Sequence, residues 1–125
     1  MAYFELQRAA DKLIRDIFAV KKDEVVVITA DTGSDMELVN AVASSAYSAG
    51  AKPMVITIAT PSGVGKAADP DIPVDTLTGA LMNCDVWIEF NHQWLLYSTP
   101  FERAIEGNPK LRYMCLVDFD RPLLI

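Results

Sequence analysis

The chain has 125 residues, 51% of them hydrophobic and 22% charged, with a formal charge of -6 and a pI near 4.6. That length makes a single domain able to bury about two thirds of the surface its unfolded chain exposes. The acidic balance repels phosphate, which argues against nucleic acid or an anionic membrane as partner unless basic residues cluster locally, and the one adjacent basic pair, Lys21-Lys22, is followed by Asp23-Glu24.

The N-terminal stretch MAYFELQRAADKLIRDIF carries a charge every few residues. It therefore has neither the apolar core of a signal peptide nor the length of a membrane span, and a cytoplasmic location is expected. Leu6, Ala10, Leu13 and Ile17, with Ile14 and Phe18 beside them, fall at helical spacing and predict an amphipathic helix over residues 3–19. Lys21 to Glu24 is its turn. Glu24 to Thr29 is a β-branched run, the pattern of a strand buried on both faces. Ser34-Asp35-Met36-Glu37 has the form of a capping box with Ser34 as the cap, opening a small-residue helix that ends at Gly50. A second strand spans residues 53–59.

Next comes Thr60-Pro61-Ser62-Gly63-Val64-Gly65-Lys66, a glycine-rich loop ending in lysine after a buried strand. A phosphate-binding loop of that form needs a glycine where Thr60 stands, a serine or threonine where Ala67 stands, and a helix starting at once. The continuation Asp69-Pro70-Asp71-Ile72-Pro73 is acidic and broken by proline. The stretch is read as a mobile connecting loop. Asp75 then caps a short helix through Asn83, residues 85–90 form a third strand, and Thr99-Pro100-Phe101-Glu102 is a second capping box opening a helix that Gly107-Asn108-Pro109 stops. Leu111 to Val117 is the fourth strand.

Strands and helices that alternate in this way predict an α/β domain. Its expected form is a three-layer sandwich around an open, mainly parallel four-stranded sheet, Rossmann-like or flavodoxin-like. Cys84 and Cys115 lie in apolar runs without ligand-spaced partners and are expected to be reduced, buried thiols. Trp87 alternates within a strand and belongs to the core, whereas Trp94 to Tyr97 form an apolar loop suited to packing on another layer or another chain.

Ligands of open parallel sheets bind beyond the carboxyl ends of the strands. Those ends hold Asp31, Ser34, Asn91, the single histidine His92, Asp118 and Asp120. Asp31, His92, Asp118 and Asp120 are residue types that suit a metal or acid/base site, yet no pair among them has a diagnostic spacing. The plainer reading makes them helix-cap neighbours and solvated strand ends. The residues name no catalytic group and no metal ligand; Asp31, Ser34, Asn91 and His92 are the ligand-binding candidates.

DEVVVITADTGSDMELVNAVASSAYSAGAKPMVI (Asp23 to Ile56) and CDVWIEFNHQWLLYSTPFERA (Cys84 to Ala104) resemble the N-terminal domain of the aminopeptidase T family of leucyl aminopeptidases. That family is related to the iron-dependent 2,5-dihydroxypyridine dioxygenases. The resemblance runs from about Glu5 to Val117. It implies an α/β domain of a longer, dimeric, cytosolic enzyme whose divalent-metal ligands come from its C-terminal half. None of those ligands can be carried onto this chain, so no cofactor is expected in it. The expectation is a scaffold and oligomerisation domain without chemistry of its own; the alternative is a free-standing small-molecule or protein-binding module. A homo-oligomer is the expected partner state.

Overall fold

The structure, a computed structural model, describes residues 3–116, apart from the side chain of Tyr3. Four strands, β1 (Val25–Asp31), β2 (Lys52–Ile58), β3 (Val86–Glu89) and β4 (Arg112–Cys115), form one sheet in the order β2-β1-β3-β4. Every neighbouring pair is parallel, with Val26 opposite both Pro53 and Val86, and Val86 opposite Arg112. This order matches the flavodoxin-like alternative rather than that of the dinucleotide-binding fold, and it puts the reversal of winding between β1 and β3.

The β-branched run of β1 explains its central place. Val26, Ile28 and Ala30 join one core with Val86, Ile88 and Phe90, against α1 (Tyr3–Lys12) and α2 (Met36–Ser48). On the other face Val27 and Trp87 join Leu77, Leu81, Leu95 and Ala104, beneath α3 (Val74–Met82) and α4 (Thr99–Gly107). A strand apolar on both faces is thus covered on both, which gives the expected three layers. Trp87 is fully buried, its ring 4.3 Å from that of Tyr113.

The first helix departs from its expected form. It is α-helical only to Lys12 and continues as a π-helix over Leu13–Ile17, where Phe18 N donates to Leu13 O at 3.0 Å. The wider turn brings Leu13, Ile14 and Phe18 all into the core, and Ile17, expected on the apolar face, is left 52% exposed.

All three expected caps are corrected. Asp35, not Ser34, caps α2 by accepting from Leu38 N at 3.2 Å. Ser98, not Thr99, caps α4 by accepting from Phe101 N at 3.4 Å. Asp75 caps nothing: Pro73 stands at the cap of α3 without a side-chain bond, and the Asp75 carboxylate pairs with Arg103 of α4 at 3.0 Å. Ser34 and Thr99 each give their hydroxyls to a rival partner, Phe90 O and Asp69, whereas Asp75 lies inside the first turn of α3.

The glycine-rich stretch is not a bare loop. Gly65–Asp71 forms a 3-10 helix that contains Pro70, a geometry short enough to spare the missing amide. Asp71 accepts from Ser62 N and Oγ at 2.9 and 2.6 Å, and Gly65 N donates to Trp94 O at 3.1 Å. Gly65 has φ +59, and an added Cβ would lie 3.1 Å from Leu96 O, so this contact requires glycine. The Trp94–Tyr97 segment packs on another layer of the same domain, with Leu95 fully buried. Cys84 is a buried free thiol and Cys115 a partly buried one. No helix of the described residues is long and apolar enough to cross a membrane.

Candidate functional site

The β1/β3 register sets the site. Because Thr29 stands opposite Glu89, the segments leaving the two strands meet at one crest, and the candidate residues of both arrive together. Asp31 is fully buried there. Its Oδ1 accepts from Gly33 N at 2.9 Å and its Oδ2 accepts from Gln93 N, also at 2.9 Å. One carboxylate therefore holds the turn after β1 and the segment after β3 at once.

Ser34 completes the link. Its hydroxyl accepts from Asp31 N at 3.0 Å and donates to Phe90 O at 2.7 Å, which is why it is not available as a helix cap. Asn91, the next residue, is fully buried, and neither its Nδ2 nor its Oδ1 has a hydrogen-bond partner among the described residues. His92 is exposed and lies over Gly33, where an added Cβ would come within 3.1 Å of His92 Cβ. The structure thus brings Asp31, Ser34 and Asn91 together and places His92 on the outside. Asp118 and Asp120 lie outside the described residues, as do Val117 and the Leu123-Leu124-Ile125 tail.

Sequence reasoning missed Glu89. It is fully buried on β3, its Oε1 accepting from Tyr113 Oη at 2.6 Å and its Oε2 from Leu95 N. Burial pushes its pKa up, the bonds from Tyr113, Leu95 and Cys115 oppose that, and the nearby charge of Asp31 adds to it. Burial, reinforced by the Glu89 charge, also raises the Tyr113 phenol. A visible signal was available: an acid inside the otherwise apolar run Val86-Trp87-Ile88-Glu89-Phe90 must be either exposed or buried with partners.

Chemically, this is a tied crest. Asp31, Ser34 and Glu89 spend their polar atoms on backbone and side chains of the same domain. Among the described residues no group of three or more His, Cys, Asp and Glu is arranged to hold a metal ion. A groove of about 380 Å³ between α1 and α2, lined by Leu6, Gln7, Glu37, Asn40, Ala41 and Ser44, contains none of the four candidates.

Lys66 belongs to a separate clasp. Its Nζ donates to Thr99 Oγ1 at 3.0 Å and to Glu102 at 2.8 Å, while Asp69 accepts from both Thr99 N, at 3.0 Å, and Thr99 Oγ1. The lysine of the glycine-rich stretch thus fastens the 3-10 helix to the start of α4.

No protein-family profile and no curated protein sequence matches the chain. Two solved structures do match in shape. The 2,5-dihydroxypyridine dioxygenase from Pseudomonas putida KT2440 is similar with a TM-score of 0.69 and 16% identity over 92% of this chain. AmpT from Thermus thermophilus is similar with a TM-score of 0.59 and 13% identity over 90%. In each case the match spans 35% of the solved chain. The chain therefore has the fold of about one third of a 2,5-dihydroxypyridine dioxygenase or an AmpT, the two kinds of protein its sequence resembles.

Proposed function

We propose that this chain is the N-terminal scaffold and oligomerisation unit of a leucyl aminopeptidase-like metalloenzyme, with no chemistry of its own. The observation that carries the reading is the Asp31 carboxylate, whose two oxygens serve Gly33 N and Gln93 N and so hold the crest closed. The match to 35% of two much longer chains supports it, and any divalent metal belongs to the remainder of such an enzyme. Self-association is part of the proposal. Among the described residues β2 ends the sheet with one side unpaired; it carries Met54 45% exposed and offers an edge that another chain can extend or cover.

The competing reading is a binding module at the same crest, and one observation favours it, the unpartnered Asn91 amide. Two measurements test the scaffold proposal: light scattering of the purified chain at micromolar concentration, and hydrolysis of a leucyl anilide with added zinc, cobalt or manganese. The expected result is an oligomer without turnover. A strictly monomeric chain, or metal-dependent turnover lost in His92→Ala, overturns it.

A further inference from the structure

Among the described crest residues, Asn91 is buried with its side-chain chemistry unused. Phe90, just before it, donates its N–H to Thr29 O at 2.8 Å and accepts from Ser34 Oγ, so Asn91 stands where the strands β1 and β3 part. Its side chain is fully buried, and both its donor and its acceptor lack partners among the described residues. A buried polar group without a partner destabilises the fold, and a leucine of similar size would fill the space without that cost. Packing alone does not account for an amide here. The other polar residues of the described crest, Asp31, Ser34 and Glu89, spend their polar atoms elsewhere, and none of them bonds to Asn91.

We propose that Asn91 is the recognition group of a subsite for a neutral ligand presenting an amide edge, an N–H beside a C=O. Nδ2 donates to the ligand carbonyl and Oδ1 accepts from the ligand N–H, so that one planar group answers the other. Two features fix the class. The position is the switch point of a parallel sheet, where ligands of such folds sit. The carboxylate of Asp31 is buried at the same crest, close enough for its charge to be felt by Glu89, and it disfavours an anion. Because Asn91 is fully buried, the ligand reaches it only when the segment carrying exposed His92 is displaced, which breaks the Gln93 N bond to Asp31. The subsite does not depend on the scaffold reading, which is judged by oligomer mass and hydrolysis.

The test is a titration of the ¹⁵N-labelled 125-residue chain with acetamide, with acetate as the anion of the same shape. Acetamide is expected to shift, saturably and at millimolar concentration, the Asn91 side-chain signals and the backbone amides of residues 31–34 and 91–94; acetate is expected to leave them in place. Asn91→Leu is expected to abolish the response and to raise the Tm, and Asn91→Ala, which relieves the same unpaired amide, to abolish the response as well. The proposal is overturned by the absence of a saturable shift in the wild type, by an equal response to acetate, or by a response that survives in either variant. A lowered Tm in Asn91→Leu with no acetamide response, the pattern of an amide that holds only a trapped water, overturns it too.

Discussion

Asp31 accepts from Gln93 N at 2.9 Å across the crest, so a side chain at the end of β1 fixes the backbone that leaves β3, 62 residues further along. The same carboxylate holds Gly33 N. Asp31→Ala removes both acceptors and leaves two amides to find others, so a loss of about 3 kcal/mol is expected in denaturant unfolding. Hydrogen exchange gives the sharper reading. The Gly33 and Gln93 amides should lose protection together, and loss of stability with both still protected would show that the link is not what holds the crest.

The opposite end of the sheet carries a pH-dependent contribution. Glu24 accepts a two-pronged bond from Arg112, at 2.8 and 2.9 Å, joining the start of β1 to the start of β4. That bond holds the Glu24 pKa down, from 4.5 to about 2. A depressed carboxyl contributes stability that is fully present above the unfolded value and is lost as pH falls through the folded one. The window is thus pH 4.5 down to about 2. Because the Arg112 side chain is 41% exposed, solvent screening reduces the contribution to about 1 kcal/mol. Unfolding midpoints measured across that window should fall less steeply in Glu24→Gln than in the wild type; equal slopes would show that the pair adds nothing.

Glu89 works with the opposite sign. Burial raises its pKa in the folded chain, so the folded state holds the proton more tightly than the unfolded one does. Stability from this group is fully present below pH 4.5, the ordinary value, and declines as pH rises through the raised value. Glu89→Gln keeps an acceptor for Leu95 N and gains a donor towards Tyr113 while removing the charge. The variant should therefore lose this neutral-side decline and be more stable than the wild type at pH 7. A wild type that does not lose stability with rising pH, or a variant that parallels it, contradicts the assignment.

The layers and the convergence of Asp31, Ser34 and Asn91 are legible in the sequence, because apolar runs and alternating elements specify a parallel sheet and its crest, whereas the strand order is set by pairings that no local pattern contains. Two of the three caps, those of α2 and α4, fall one residue from the expected one. Whether Ser34 or Asp35 caps α2 depends on Phe90 O, 56 residues from Ser34, and no local pattern contains that partner. Thr99 is likewise drawn from the cap position by Asp69. The inner carboxyl, Glu89, was hidden for a related reason: its partner Tyr113 comes from β4, and only the β3/β4 register sets them side by side. The π-turn after Lys12 left no trace in a periodicity that fits a plain helix equally well.

The glycine-rich stretch is expected to hold no nucleotide. Thr60 and Ala67 replace the glycine and the hydroxyl residue that a phosphate loop needs, and the lysine is already held. Lys66 donates to Thr99 Oγ1 and Glu102, so a phosphate would have to displace a carboxylate from it. The acids Asp69 and Asp71 stand in the same turn and repel an anion. No saturable ATP or GTP binding is expected by calorimetry, with or without magnesium. Lys66→Ala should leave that result unchanged and lower stability by less than about 1 kcal/mol, as befits an exposed ion pair. Micromolar nucleotide affinity that disappears in Lys66→Ala would mean that the clasp opens to receive phosphate, and that the lysine serves the ligand rather than the fold.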